Sequence, residues 1–92
     1  MNDRTHDKDS PAFQRNRITQ LASQLDECLG VEFYDNKPYP ARTDIRFRLV
    51  DTSMGIRKIV GSIRQDCEWS ASEIADKSDS EVIRMIAALR TT

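Results

Sequence analysis

The hydrophobic residues of the chain follow two different periods, which predict two kinds of secondary structure. In the first third, apolar side chains recur every three or four positions, the spacing of one helix face. These positions are Ile18, Leu21, Ala22, Leu25, Cys28 and Leu29. Ser10 is a good helix cap and Pro11 suits the first helical position. We therefore predict a helix over residues 11–29, ended by Gly30 in the left-handed conformation.

Two later segments alternate between apolar and polar residues, as strands with one buried face do. The first is short and centres on Val31 and Phe33. The second runs from residue 44 to 50, with Ile45, Phe47 and Leu49 on one side and Asp44, Arg46 and Arg48 on the other. Turn-forming residues between the two segments predict a loop over 35–43.

Residues 51–55 predict a hairpin connection in which Gly55 takes a positive φ. The segment 56–69 that follows fits a helix, by the spacing of its apolar residues, or a strand. Its β-branched residues and its internal Gly61 favour the strand. In a strand, Lys58 and Arg64 join the sheet face that carries Arg46 and Arg48.

Two capping-box patterns come before the last apolar segment, Ser70-x-x-Glu73 and Ser78-x-x-Glu81. In such a box the serine accepts a backbone hydrogen bond and the glutamate reaches back to the cap. The second box predicts a helix whose apolar face is formed by Val82, Met85, Ile86 and Leu89. The first predicts a single turn.

The resulting order of elements predicts an α+β fold. We expect a small antiparallel sheet of about three strands, packed on one face by an N-terminal and a C-terminal helix, with the other face wet. The chain of 92 residues has room for one domain, over residues 10–92, after a polar and flexible leader over 1–9. Without a signal peptide or a membrane-length apolar run, we expect a cytoplasmic protein that does not enter membranes.

Charge is distributed unevenly along the chain. Residues 37–65 carry a net charge of +5, whereas residues 1–36 and 66–92 each carry −3. A basic segment of this kind marks a surface for phosphate or for an acidic protein, or simply the solvated faces of strands balanced by neighbouring helices. Both interpretations stay open from the sequence.

No combination of residues in the sequence predicts catalysis. The glycines are too widely spaced for a phosphate-binding loop, and the single histidine, His6, lies in the leader. Cys28 and Cys67 are far apart and lack further ligands for zinc, so we expect two buried thiols. We therefore predict a protein that is not an enzyme and that uses no metal and no cofactor.

The candidate contact residues combine arginine with tyrosine, which is typical of interaction hot spots. Arginine forks bind carboxylate and phosphate groups alike. The predicted partner-binding residues are Tyr34, Lys37, Tyr39, Arg42, Arg46, Arg48, Lys58 and Arg64. For the two tyrosines, packing at the rim of the core is the alternative role.

Two segments resemble DNA-binding families. Residues 69–76 followed by 82–89 are similar to helix-turn-helix repressors, although the connection is short and lacks a turn glycine. Residues 45–49 with 80–84 resemble ribbon-helix-helix repressors, in which a strand pairs across a dimer and reads the major groove. That second resemblance implies DNA contacts for Arg46 and Arg48, but the stretch between its strand and helix is long and holds another predicted strand.

Two functions follow as expectations. The first is a small interaction protein, monomeric or homodimeric, that binds a host protein or nucleoprotein complex through the basic sheet face. Its size and segregated charge suggest a phage or mobile-element inhibitor, similar in these respects to anti-CRISPR proteins. The alternative is a DNA-binding transcriptional regulator of the ribbon-helix-helix or helix-turn-helix type, with salt-sensitive affinity for bare nucleic acid.

Overall fold

The computed structural model describes residues 8–34, 44–61 and 67–90, without the side chains of Asp44, Cys67 and Glu68. Its elements, in chain order, are α1 (Pro11–Leu25), β1 (Leu29–Tyr34), β2 (Asp44–Asp51), β3 (Lys58–Ile59), β4 (Cys67–Ser70), α2 (Ala71–Ala75) and α3 (Asp79–Leu89). The predicted α+β class, with an antiparallel sheet and helices from both ends of the chain, is confirmed.

β2 lies at the centre of the antiparallel sheet. β1 pairs with it along one edge, in an unbroken register from Leu29 opposite Asp51 to Tyr34 opposite Arg46. The other edge of β2 is shared, since β4 pairs with its first half and β3 with its last two residues. The single strand predicted over 56–69 is therefore two short strands, and residues 62–66 lie outside the described residues.

The helices cover one face of the sheet and form the core with it. Ile45, Phe47 and Leu49 of β2 are completely buried, together with Ile18 of α1 and Ile86 of α3. An aromatic row crosses the strands there, with Phe33 and Trp69 on either side of Phe47 at centroid distances of 5.8 and 5.1 Å. The alternation in β2 thus predicted the core face correctly.

α1 begins as predicted but ends four residues early. The Ser10 side chain accepts a hydrogen bond from the Phe13 N–H group, and Pro11 is the first helical residue. At the other end, Asp26 is extended and its carboxylate accepts the Cys28 N–H group, which ends the helix. Gly30 lies in β1 and not in the predicted left-handed turn. A Cβ atom there would approach Val50 Cγ2 to 3.2 Å.

The two capping boxes differ in outcome. Ser78 and Glu81 form the predicted box at the start of α3, each bonded to the backbone of the other. Ser70 precedes α2 without a side-chain cap, because its hydroxyl bonds to the Ser72 hydroxyl instead. Within the described ranges, no helix has the length and hydrophobicity needed to cross a membrane.

Candidate functional site

The sheet face turned away from the helices carries polar side chains from its two longest strands. The register places Tyr34 opposite Arg46 and Glu32 opposite Arg48, and residues directly opposite in an antiparallel pair share a face. We call these four side chains the polar face. Each of them is half-buried, so the face expected to be wet is polar and carries the two arginines but is only partly exposed. The reason is that the long side chains pack over one another.

Glu32 organises the charges of the polar face. Its Oε1 accepts a hydrogen bond from Arg48 Nε at 3.1 Å, and its Oε2 lies 2.6 Å from Arg57 Nη1. The guanidinium carbon of Arg48 lies 5.0 Å from the centre of the Tyr34 ring, a cation–π distance. The positive charge that the sequence assigned to Arg48 is therefore balanced within the chain, and these three charged groups together carry +1.

The structure brings together only part of the predicted contact set. Tyr34, Arg46 and Arg48 share the polar face, as expected. Lys58 lies opposite Asp51 and so on the helix-covered side of the sheet, which makes its predicted place beside Arg46 wrong. The reason is its register against β2. The remaining four members, Lys37, Tyr39, Arg42 and Arg64, lie outside the described residues.

The connection between β2 and β3 presents two large apolar side chains to solvent. We call residues 52–57 the hairpin tip. Met54 is 82% exposed and Ile56 is 70% exposed. The two residues are only two positions apart, and their joint exposure marks a candidate contact site. Arg57, at 60% exposed, joins the tip to the polar face through its ion pair with Glu32.

Backbone hydrogen bonds define the shape of the hairpin tip. The Asp51 carboxylate accepts the Ser53 N–H group at 2.8 Å, and the Thr52 N–H group donates to the Cys28 carbonyl at 3.0 Å. Gly55 has the predicted positive φ, +79°, and its N–H group donates to the Thr52 carbonyl. Met54 and Ile56 therefore flank a turn of defined geometry.

Four residues of this site were not among those predicted from the sequence: Met54, Ile56, Arg57 and Glu32. For the two apolar residues a signal was available, because large apolar side chains in a predicted hairpin turn have no helix or sheet face to pack against. For the ion pairs of Glu32 the sequence contained no such signal. They depend on the pairing of β1 with β2, which the alternation of each strand does not specify.

A second cluster of charges joins the ends of three elements next to the base of the hairpin tip. Arg90 Nη2 donates to Asp26 Oδ2 at 2.8 Å and lies 3.9 Å from Asp51 Oδ2. Hydrogen bonds from the Cys28 backbone and from Arg90 lower the pKa of Asp26 below its usual value. Hydrogen bonds from Ser53 do the same for the pKa of Asp51. Each carboxylate is thus held ionised by partners of its own chain.

Cys28 lies next to this cluster as a half-buried free thiol. Burial raises its pKa, and the neighbouring charges of Asp26, Asp51 and Glu27 raise it further. The reactive thiolate form is therefore disfavoured. Across the described ranges, no three histidine, cysteine, aspartate or glutamate side chains are grouped so that they could hold a metal ion.

The topology also bears on the two resemblances to DNA-binding families. A ribbon-helix-helix strand needs a free edge for its dimer partner, but β2 is paired along both edges within its own chain. In the helix-turn-helix segment, α2 has only five residues, and Val82 and Ile86 of α3 are buried in the core. The strand pairing of this chain therefore does not match the ribbon-helix-helix resemblance.

Comparisons of this chain with protein-family models, with curated proteins and with solved structures found no match.

Proposed function

We propose that this protein is a non-enzymatic binding protein of the cytoplasm, which docks on a protein partner through the hairpin tip and the adjoining polar face. The observation that carries the proposal is the exposure of Met54 and Ile56, 82% and 70%, on either side of a structured turn. The partner has an apolar pocket bordered by acidic groups.

The apolar part of this surface supplies the affinity. Burying a side chain such as methionine or isoleucine from water contributes about 1.5–3 kcal/mol. Met54 is also unbranched and adaptable, which suits it to fill an irregular pocket. The two side chains are a small patch by area, as expected of an anchor that inserts into a concave partner.

The defined shape of the tip supports the same proposal. Binding by a mobile loop loses affinity to the ordering of that loop. Here the Asp51–Ser53 hydrogen bond and the positive φ of Gly55 hold the turn before any partner arrives. The tip is thus preorganised for docking.

The charges beside the tip indicate the chemistry of the partner. Arg57 follows Ile56 directly, and most of its side chain is exposed although Nη1 contacts Glu32. Arginine has several donors in a fork, so the rest of this guanidinium is open to a carboxylate. Lys58 is exposed one residue further on. An acidic rim around the partner's pocket complements both cations.

The class of partner follows the expectation from the sequence, a host protein or nucleoprotein complex. An inhibitor from a phage or a mobile element, of the anti-CRISPR kind, stays a prediction within this proposal. The regulator alternative receives less support, because Glu32 balances Arg48 on the face that was expected to contact DNA.

A capture experiment with matched variants tests the proposal. Wild-type protein, M54S/I56S and the control Q20S/Q24S, exposed on α1, are immobilised and exposed to a bacterial lysate with and without nuclease. A captured protein is then purified and its affinity for each form is measured. We expect M54S/I56S to bind at least about tenfold more weakly, equivalent to about 1.4 kcal/mol, and the control to bind like the wild type.

Two results would overturn the proposal. Equal binding of M54S/I56S and the control would exclude the hairpin tip as the docking surface. Direct binding of bare duplex DNA or single-stranded RNA that falls steeply with salt would favour the nucleic-acid regulator instead.

A further inference from the structure

The outer edge of β1 offers backbone groups for pairing with another strand. Over the parts of the chain that the structure describes, β1 pairs with β2 alone. The Thr52 N–H group donates to the Cys28 carbonyl, and hydrogen-bonded pairs alternate along an antiparallel ladder. Glu32 therefore directs its backbone groups toward β2, whereas Val31 and Phe33 direct theirs to the outer edge. On β2, the Leu49 carbonyl accepts the Val60 N–H group and so points away from β1. This agrees with the outward direction of the backbone groups of Val31, which lies opposite Leu49.

Nothing in β1 itself blocks this edge. Natural sheets protect exposed edges with proline, lysine or a bulge. β1 contains neither residue, and its register against β2 is unbroken over six residues. Its only charge, on Glu32, is already balanced by Arg48 and Arg57. The edge is therefore suited to accept a strand.

The helix beside this edge carries one charge close to β1, on Arg15. Arg15 of α1 lies over the Phe33 ring at 5.6 Å, which identifies the side of the helix nearest the edge. The exposed residues next to Arg15 on the helix surface are uncharged: Ala12, Asn16, Thr19 and Ser23. In a chain with 32% charged residues, such a surface matches the depletion of charge at protein interfaces.

We propose that β1 pairs with β1 of a second copy of this chain, antiparallel and about a twofold axis that passes through Val31. Val31 then exchanges backbone hydrogen bonds with the partner's Val31. The Phe33 N–H group donates to the carbonyl of the partner's Leu29. The result is one continuous sheet across the dimer, with the helices of both copies on the same side.

The charges and shapes of β1 select this register. Centred on Val31, it sets Leu29 opposite the partner's Phe33, apolar against apolar on the helix-covered face. It also sets Glu32 opposite the partner's Gly30, where there is no side chain. Moving the axis from Val31 to Glu32 would place Glu32 directly against the partner's Glu32, and like charges directly opposite are destabilising.

Light scattering after size-exclusion chromatography tests the dimer over a wide range of concentration. We expect the wild type to reach twice the chain mass of 10.6 kDa. V31P removes an N–H group that the fold does not use, at an edge position that tolerates proline, and follows a glycine. We expect it to stay at 10.6 kDa. V31A shortens the same side chain but keeps the N–H group, so it should still form dimers.

A wild-type mass of one chain at every concentration would overturn the dimer, as would a V31P protein that still dimerises. Amide hydrogen exchange provides a second readout that needs no variant. The Val31 and Phe33 amides should gain protection as concentration rises, and concentration-independent exchange would contradict the proposal. M54S/I56S should remain dimeric, so failure of the hairpin-tip proposal and failure of the dimer are distinguishable.

Discussion

The contact between α1 and the α2–α3 connection differs from the hairpin tip in how its side chains are used. Arg17 of α1 is 16% exposed and donates to the carbonyls of Ile74 and Lys77, at 2.8 and 2.6 Å, and to the Asp79 carboxylate at 2.9 Å. At the tip, Met54 and Ile56 extend into solvent. In the first region the side chains bond to other parts of the chain. At the tip they are exposed and can contact a partner.

This difference separates stability from binding. Arg17 donates to two backbone carbonyls at the end of α2, and that of Ile74 also accepts the Lys77 N–H group. Gln14 belongs to the same network, since it is buried, accepts from Arg17 and donates to the Lys8 carbonyl at 2.8 Å. A substitution in this region should destabilise the fold, whereas one at the tip should affect only a partner.

The largest effect is expected from R17M, which keeps much of the side-chain length but removes every donor. The unfolding free energy should fall by about 2–3 kcal/mol, because several charge-assisted hydrogen bonds to half-buried groups are lost. Urea denaturation followed by circular dichroism measures the change. R84M, at an exposed position of α3, is the control and should stay within about 0.5 kcal/mol of the wild type. Equal stability of the two variants would contradict a structural role for Arg17.

The next effect concerns the start of α3, which Arg17 reaches through Asp79. S78A removes the hydroxyl that accepts the Glu81 N–H group and should cost about 1 kcal/mol. S80A is the matched control, since Ser80 is exposed in the same first turn and takes no part in the capping box. Loss of the same stability in both variants would mean that the box contributes nothing specific.

The stabilisation that the Arg90 cluster gives the fold should be lost in acid. Asp26 and Asp51 have lowered pKa values in the folded chain, so the unfolded chain binds protons first. Their stabilisation is present above the ordinary aspartate pKa of about 3.9 and is lost as the pH falls below it. Unfolding free energies measured from neutral pH to about pH 3 should show this fall. D26N should make it shallower, whereas E27Q, at an exposed neighbour, should leave the slope unchanged.

The smallest effect on stability is expected from M54S/I56S. Both side chains are exposed, so their removal should change the unfolding free energy by less than about 0.5 kcal/mol. The same urea titration measures this change. A loss above about 1 kcal/mol would show that the tip packs on its own chain and would remove the contrast with Arg17.

Interactions within one or two turns of the chain were predictable from the sequence. Ser10 with Pro11 predicted the start of α1, and Ser78 with Glu81 predicted the start of α3. Gly55 predicted the positive φ of the hairpin. In each case the donor, the acceptor or the backbone freedom lies within a few residues, so the pattern contains the interaction.

Interactions that depend on the pairing of distant segments were not predictable in the same way. The helix prediction for α1 ran on to Leu29 because Cys28 and Leu29 continue its apolar spacing, although Leu29 reaches the core from β1. Lys58 was assigned to the wrong face because alternation specifies neighbours within one strand and not their register against another. The candidate site was found only in part for the same reason.

The sequence by itself determined the α+β class, the core face of β2 and the caps that begin its two long helices. Their physical cause is local, since helix caps and strand alternation act over a few residues. The tertiary structure alone decided that Glu32 balances Arg48 and that Arg17 bonds to Asp79, 62 positions away. It also left Met54 and Ile56 in solvent. These outcomes depend on how the strands and helices pack against one another, because only that packing brings such distant groups within bonding distance.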